Sequence, residues 1–471
     1  FEFPRYTMDV AFFRAYENGK PAKTPEHFKW SKSGAKEGEL IFVSGHPGST
    51  KRLLTSAALK TERDMRVPFL LDLFRRRELT FQQFMLRGKE QRRVVESDLF
   101  SWQNSRKLYV GKIRGLQDPR LMESKKSFEA KVYRDFATNA SVANKVADGL
   151  LMVQDAQIVI KKNYMQGMLL NRGLGFDSVL FSYAQSIISG NQKTAQAALV
   201  VRTNEPPLNL EYEEAKLKDS LTHFTEVFGA DSLTVKNMMR LTGNGPADIA
   251  HKLVYSSKLS DINEHRQMVE SVGTGNLKNS NDPMILLAVF AREEGKIFQG
   301  ELENAAEKEK QGYAQLTSAL LQGYGVAGYP DATFTLRLSF GTISSYFENG
   351  TRIPPFTTIG GAYRHSAEFD NKDNYKLPNR WFLRKGSVNL KTRLNFVSNL
   401  DITGGNSGSP VFNRNREIIG IVFDSNIEGL VSDYDFNYAP SARAIAVHSA
   451  GILEILKKIY RADRLVAELT R

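Results

Sequence analysis

The sequence predicts an α+β protein in which a β-barrel domain is interrupted by a large helical insertion. Apolar and polar residues alternate near both ends of the chain, which is typical of half-buried strands, whereas the middle has the longer period of amphipathic helices. A chain of 471 residues also exceeds what one hydrophobic core usually organises. We therefore divide it into a strand-rich segment at 1–50, a helical domain at 51–324 and a second strand-rich segment at 325–471.

The first segment contains two strand-like stretches. Residues 9–14 read Asp-Val-Ala-Phe-Phe-Arg, an acidic residue at the head of an apolar run. Residues 40–44 read Leu-Ile-Phe-Val-Ser, and the Gly-His-Pro-Gly turn at 45–48 closes them. We expect both stretches to be strands of the barrel.

The helical block carries most of the positive charge. Residues 51–130 hold 19 Lys and Arg against 10 Asp and Glu, so +9 of the formal net charge of +12 lies there. Such a segment could bind nucleic acid, but the solvated face of an amphipathic helix explains the same residues. Because no zinc-finger spacing, ribonucleoprotein motif or phosphate-binding glycine loop accompanies it, we expect no nucleic-acid partner.

The last segment returns to a period of two. Phe334, Leu336, Leu338 and Phe340 alternate with polar residues, which predicts a half-buried strand. Further strands are predicted at 395–399, 410–413 and 417–424, with a turn at 413–416 and a final amphipathic helix at 452–460.

Composition excludes several kinds of site. The chain has no cysteine, so disulfides, cysteine nucleophiles and thiolate metal sites are excluded. No run of about 18 uncharged apolar residues predicts a membrane span. We expect neither a metal nor a cofactor.

The motif with the most specific chemistry is Thr-Gly-Gly-Asn-Ser-Gly-Ser-Pro at 403–410. A nucleophilic serine needs an exposed hydroxyl on a tight turn, with backbone N–H groups directed at the developing oxyanion. The motif resembles the nucleophile loop of chymotrypsin-like proteases, although a simple turn between strands is the alternative. Ser407 is the predicted nucleophile, and the amides of Gly405 and Ser407 are the predicted oxyanion-hole donors.

A chymotrypsin-like triad runs in the order His, Asp, Ser, and Asp9 heads a predicted strand as its carboxylate would. All seven histidines follow Asp9, and we expect the two nearest candidates, His46 and His448, to be structural. We therefore expect the base to lie in a half-barrel ahead of Phe1. Residues 1–471 alone would then be inactive and prone to associate through open strand edges.

The sequence resembles the bacterial dipeptidyl-peptidase 7 and 11 family of serine exopeptidases along its whole length. The stretches that carry the resemblance are 4–9, 45–48, 330–337, 354–358, 401–410 and 420–428. The resemblance implies a chymotrypsin-like double β-barrel, here with its first part truncated, and an inserted α-helical domain that caps the cleft. It also implies peptide substrates with a free N-terminus, a periplasmic or secreted location in bacteria, and a homodimer.

Site residues follow from the same resemblance. It implies that Ser407 is the nucleophile and Asp9 the triad carboxylate. Family members bind the substrate's α-amine with a Trp-containing loop, an Asn of the helical domain and an Asp after the nucleophile. Asp424 matches this Asp, Asn104 is matched to the Asn, and Phe1 stands where the family often has Trp.

The sequence leaves open which side chain the enzyme prefers at the second substrate residue. Ser425 stands where broadly acting members have Gly and acid-specific members have Arg or, in some branches, Ser, which favours Asp or Glu as the second substrate residue. A hydroxyl donates to a carboxylate but does not neutralise it, so broad or hydrophobic preference stays open. Asp401, six residues before Ser407, allows a trypsin-like endopeptidase that selects basic residues. A non-catalytic basic helical binding protein is the third hypothesis.

Overall fold

The structure is a computed structural model that describes residues 1–243, 245–272, 280–325, 330–436 and 440–471. The chain forms two compact units. The sheet unit comprises Phe1–Leu54, Arg114–Leu121 and Gly328–Arg471. The helical unit comprises Thr55–Ile113 and Met122–Ala327.

Most strands of the sheet unit form one eight-stranded sheet with the order β5-β4-β10-β11-β12-β9-β8, and β3 runs parallel to β11. Two separate hairpins are β1–β2 and β6–β7. The strands are β1 (Tyr16–Glu17), β2 (Lys20–Pro21), β3 (Lys29–Trp30), β4 (Leu40–Gly45), β5 (Arg337–Thr342), β6 (Tyr346–Glu348), β7 (Thr351–Ile353), β8 (Phe356–Thr358), β9 (Arg393–Ser398), β10 (Pro410–Asn413), β11 (Glu417–Ser425) and β12 (Ala444–His448).

The sheet does not close into a barrel in the part of the chain that the structure describes. Strand β5 lies at one edge, and the residues after it return towards β9. There Ile343 forms a bridge with Ser398, and the Asn399 amide donates to the Thr342 carbonyl at 3.1 Å. Strands of both predicted strand-rich segments therefore belong to one sheet.

Residues 9–14 form no strand, so this prediction was wrong. Phe12 and Phe13 are 37% and 96% exposed. An apolar run becomes a strand only when a neighbour supplies ladder hydrogen bonds, and no described strand pairs with these residues. The extended segment continues instead to the short hairpin β1–β2.

The predicted strand near residue 336 exists as β5, but its apolar side is not buried. Phe334, Leu336, Leu338 and Phe340 are 64–68% exposed. β5 pairs with β4 through its backbone, Phe340 lying opposite Phe42, while nothing in the described residues covers its apolar row. The alternation predicted the strand correctly and its burial wrongly, because burial depends on what packs against a face.

The helical unit is built around two long antiparallel partners, α5 with 31 residues and α12 with 42. They pack closely where two glycines meet: a Cβ on either Gly149 or Gly312 would lie 2.8 Å from the other's carbonyl oxygen. The helices are α1 (Ser56–Thr61), α2 (Val67–Met85), α3 (Lys89–Leu116), α4 (Pro119–Asp135), α5 (Ala140–Leu170), α6 (Val179–Ile188), α7 (Gln192–Asn204), α8 (Leu210–Phe228), α9 (Leu233–Thr242), α10 (Pro246–Ser256), α11 (Ile262–Glu270) and α12 (Pro283–Tyr324).

Local sequence explains where many of these helices begin. Asn139, Asn209 and Asp282 precede α5, α8 and α12, and the side chain of each accepts a hydrogen bond from an amide of the first turn. Among the described helices, none is long and apolar enough to span a bilayer.

Four further helices belong to the sheet unit: α13 (Ile359–Glu368), α14 (Asn379–Leu383), α15 (Ser449–Glu454) and α16 (Asp463–Leu469). The predicted final helix is α15 followed by a π-helical turn, Ile455–Ile459. Its apolar side packs as predicted, since Ile455 and Ile459 join Ile359 in a buried cluster.

Candidate active site

The predicted nucleophile lies on an exposed loop between β9 and β10. The Ser407 hydroxyl donates to the carbonyl oxygen of Phe423 on β11 at 3.4 Å. Two backbone hydrogen bonds tie the loop to the same strand, from Gly408 N to Val422 O at 2.8 Å and from Val422 N to Ser409 O at 3.0 Å. Ser407 is therefore exposed to substrate on a backbone that is fixed on both sides.

A second turn supports the loop from the other side. The Gly48 amide donates to the Gly404 carbonyl at 2.6 Å. Gly405 has a φ of +104°, and a Cβ there would lie 2.4 Å from the His46 carbonyl oxygen. Only glycine fits both the backbone angle and this close approach. The Gly-His-Pro-Gly turn thus has a structural use in shaping the nucleophile loop.

The amides of Gly405 and Ser407 donate no hydrogen bond in the described part of the chain. Their neighbours differ, since the amides of Asn406 and Ser409 are bonded within the loop, to Thr403 O and Asn406 O. Two unused N–H groups beside a serine hydroxyl are what a tetrahedral oxyanion requires.

Asp9 lies on the extended N-terminal segment and is exposed. Within the described residues it forms no hydrogen bond or ion pair. The segment itself is held two residues earlier, where the Thr7 amide and carbonyl bond the Asn395 side chain at 3.0 and 2.8 Å. The structure thus fixes the backbone near Asp9 and brings no described histidine to its carboxylate.

No histidine among the described residues is hydrogen-bonded to Ser407. His46 is exposed, and its ring lies 6.4 Å from that of Phe334. His448 is buried in the sheet unit, where its Nε2 is 3.1 Å from the Ala35 amide and its Nδ1 accepts from Ala450 N. Burial lowers the pKa of His448 to about 4. This histidine is neutral and structural.

Asp424 forms an anionic site next to the nucleophile. It follows Phe423, whose carbonyl contacts Ser407. Its Oδ2 lies 3.6 Å from a guanidinium nitrogen of Arg5, and its Oδ1 accepts from the amide of half-buried Ser425 at 2.8 Å. The carboxylate is only 15% exposed. A carboxylate in this setting attracts cationic groups strongly.

Asp401 already has a cationic partner. The Arg52 guanidinium donates to both of its carboxylate oxygens, at 2.7 and 2.6 Å, and to the Ser432 carbonyl at 2.9 Å. Burial alone would lower the pKa of Arg52, but the hydrogen bond to Asp401 and the charges of Asp401, Asp331 and Asp433 raise it. Asp401 is therefore neutralised within the protein, which removes the physical basis of a pocket for basic residues.

Sequence reasoning missed Arg52 and Arg5. Arg52 follows the Gly-His-Pro-Gly turn, and Arg5 lies in the segment that the resemblance covers, yet neither position has a local pattern that predicts an ion pair. The remaining predicted contact, Asn104, lies exposed on α3 in the helical unit. In the described residues, no group of three or more His, Asp or Glu side chains could hold a metal ion.

Known proteins resemble this chain along almost its whole length. The chain is 27% identical over 538 residues to an Asp/Glu-specific dipeptidyl-peptidase of Shewanella putrefaciens, covering 100% of this chain and 71% of that protein. It is 25% identical over 515 residues to dipeptidyl-peptidase 7 of Phocaeicola vulgatus, covering 99% and 69%.

A solved structure shares the fold. Porphyromonas endodontalis DPP11 in complex with the dipeptide Arg-Glu superposes with a TM-score of 0.81 at 20% sequence identity, over 99% of this chain and 71% of that one. The peptidase S46 family matches residues 1–471. The chain therefore belongs to the peptidase S46 family and is a hydrolase.

Proposed function

We propose that this protein is a serine-type dipeptidyl aminopeptidase, which releases dipeptides from peptides with a free N-terminus. The position of Asp424 carries the proposal. Its carboxylate follows the residue whose carbonyl contacts the Ser407 hydroxyl, and it already pairs with the Arg5 guanidinium. A carboxylate this close to the nucleophile binds the substrate's α-ammonium and restricts attack to the second peptide bond. The names of the relatives support the same reaction.

Catalysis proceeds through an acyl-enzyme. The Ser407 hydroxyl attacks the carbonyl of the second substrate residue and gives its proton to a general base, which Asp9 orients in the triad. The amides of Gly405 and Ser407 bind the oxyanion, since both N–H groups are unused in the described structure. The leaving peptide takes up the proton, and water then releases the dipeptide from Ser407. In this proposal the sheet unit is part of a chymotrypsin-like double barrel, Phe1 belongs to the amine site, and Asn104 stays a predicted substrate contact.

The preferred second residue is acidic in our proposal. Ser425 follows Asp424 at the end of β11, where its hydroxyl could donate to a substrate carboxylate. The Shewanella putrefaciens relative is named as Asp/Glu-specific, which supports this preference. We also propose a periplasmic or secreted location in bacteria and a homodimer.

One experiment distinguishes the proposed exopeptidase from an endopeptidase. A peptide with Glu as its second residue is offered to the full-length protein with either a free or an acetylated N-terminus, and products are measured by mass spectrometry. We expect release of the N-terminal dipeptide from the free peptide and no cleavage of the acetylated one. Equal cleavage of both peptides would contradict the proposal, and the Ser407→Ala variant controls for contaminating proteases.

A further inference from the structure

Arg443 lies directly beside the end of β11. Its neighbour Ala444 pairs in register with Ser425 across the β11–β12 ladder. The Asn426 amide donates to the Arg443 carbonyl at 3.0 Å, and the Arg443 amide donates to Asn426 Oδ1 at 2.7 Å. The backbone of Arg443 is therefore fixed diagonally across from Ser425, the residue predicted to contact the second substrate side chain.

The guanidinium of Arg443 is buried among neutral acceptors. Nε donates to the carbonyl of Ser344 at 3.2 Å and Nη2 to that of Ser345 at 2.7 Å, while Nη1 donates to two carbonyls of its own loop, at 2.8 and 2.7 Å. The residue is 8% exposed, and the guanidinium carbon lies 5.4 Å from the centre of the Tyr346 ring. Every one of these partners satisfies a donor, and none of them removes the charge.

In this respect Arg443 differs from the other two arginines near the site. Arg5 pairs with Asp424 and Arg52 with Asp401, whereas no carboxylate in the described residues lies within 4.0 Å of the Arg443 guanidinium. Burial lowers the pKa of Arg443, which reports the cost of holding this charge away from water. A guanidinium nevertheless stays protonated in proteins. The sheet unit therefore holds a buried positive charge, with no carboxylate within 4.0 Å among the described residues, on the residue that precedes the strand partner of Ser425.

We propose that Arg443 is a specificity-determining residue, which favours Asp or Glu as the second substrate residue through its positive field while Ser425 donates the hydrogen bond. This inference rests on the proposed dipeptidyl-peptidase function. Arg443 supplies the positive charge that Ser425 lacks, because a hydroxyl cannot neutralise a carboxylate. A buried charge acts over several ångström, since the medium between it and an enclosed ligand screens it less than water does.

The test adds a counter-charge and leaves Arg443 in place. Ser345→Asp puts a carboxylate on a residue whose carbonyl already accepts from the guanidinium, and Ser345→Asn is its matched neutral control. Calorimetry measures the binding of two dipeptides, Arg-Glu and Arg-Gln, to the full-length protein and to each variant. The wild type and Ser345→Asn should bind Arg-Glu about tenfold more tightly than Arg-Gln, which corresponds to a charge interaction of about 1.4 kcal/mol. Ser345→Asp should reduce this ratio to about twofold or less.

A second pair of variants tests the charge itself. Arg443→Lys should retain most of the preference for Arg-Glu, and Arg443→Met should lose it, with circular dichroism showing that each variant is folded. An unchanged ratio in folded Ser345→Asp or Arg443→Met would overturn the assignment of Arg443 while leaving the dipeptide site intact. A wild-type protein that binds neither dipeptide would instead contradict the proposed function, and this inference would fall with it.

Discussion

The sheet unit and the helical unit each bury a histidine, and burial lowers the pKa of each to about 4. The two rings differ in their hydrogen bonds. Both ring nitrogens of His448 in the sheet unit lie within hydrogen-bond distance of backbone amides. His265 in the helical unit stacks on Tyr183 at 4.6 Å, and neither of its nitrogens has a partner in the described structure. The Tyr183 hydroxyl also lacks one. At these two places the sheet unit uses polar groups to fix loops, whereas the helical unit depends on packing.

The same contrast extends to the nucleophile loop. Its shape depends on a few polar contacts, such as Gly48 N to Gly404 O and Arg52 to Asp401. The long helices α5 and α12 instead pack glycine against glycine at Gly149 and Gly312, and polar contacts such as Gln157 to Glu309 accompany this packing. Single polar substitutions should therefore have large effects on function in the sheet unit, while conservative apolar changes at His265 should be tolerated.

The largest expected effect is that of removing the nucleophile. Ser407→Ala should lower kcat/KM for dipeptide release by at least about 10⁴-fold, because a triad cannot form the acyl-enzyme without its nucleophile. The variant should remain folded, since Ser407 is exposed. Steady-state kinetics and circular dichroism measure both effects, with the exposed Ser387→Ala as control. Retained turnover would remove Ser407 from the mechanism.

The second prediction concerns the amine site. Asp424→Asn should lower kcat/KM for free peptides by about 100-fold, because a buried ammonium without its carboxylate loses about 3 kcal/mol. Rates with free and acetylated dipeptidyl amides measure the effect. If the variant kept its selectivity for the free amine, another group would bind that amine.

The two histidines predict how stability depends on pH. The folded-state pKa of each is depressed to about 4 from an unfolded value of about 6.5. Their neutral forms therefore contribute stability that is fully present above pH 6.5 and is lost as the pH falls towards 4. Each group should cost about 3 kcal/mol over this range, which urea unfolding at pH 7, 5.5 and 4.5 measures. Flat stability across that range would contradict the neutral, buried state.

Substitutions to Phe distinguish the contributions of His265 and His448 to stability. His265→Phe should reduce the acid sensitivity and leave stability at pH 7 almost unchanged, because the ring can still stack on Tyr183 and no hydrogen bond is lost. His448→Phe should instead destabilise the protein at pH 7 by about 2 kcal/mol, because the Ala450 amide loses its acceptor and the Ala35 carbonyl loses its donor. Equal effects of the two substitutions would show that the hydrogen bonds of His448 are unimportant.

Sequence predicted the parts of the site that local chemistry determines. The glycines and serines of 403–410 specify a tight loop, and the hairpin of β10 and β11 follows from its turn residues. The apolar row of β5 and the extended path of residues 9–14 were mispredicted, because both depend on what packs beside them. Arg52, Arg5 and Arg443 were missed for the same reason, since their partners lie tens to hundreds of residues away in the chain.

The remaining prediction concerns Arg52→Met. Stability should fall by about 2 kcal/mol, because Asp401, which is 33% exposed, keeps a charge that water screens only in part. The double variant Arg52→Met/Asp401→Leu should recover part of this loss in urea unfolding. Neither variant should cleave after Lys or Arg. New cleavage after basic residues would show that Asp401 faces the substrate pocket and would revive the endopeptidase alternative.

The most direct test is a crystal structure of the full-length Ser407→Ala protein with a peptide that has a free amine and Glu as its second residue. We predict the α-ammonium nitrogen at about 3 Å from the Asp424 carboxylate, with the carbonyl of the second residue beside residue 407 and the amides of Gly405 and residue 407. A bound peptide whose N-terminal residues extend beyond Asp424, so that its α-ammonium does not contact that carboxylate, would contradict the account.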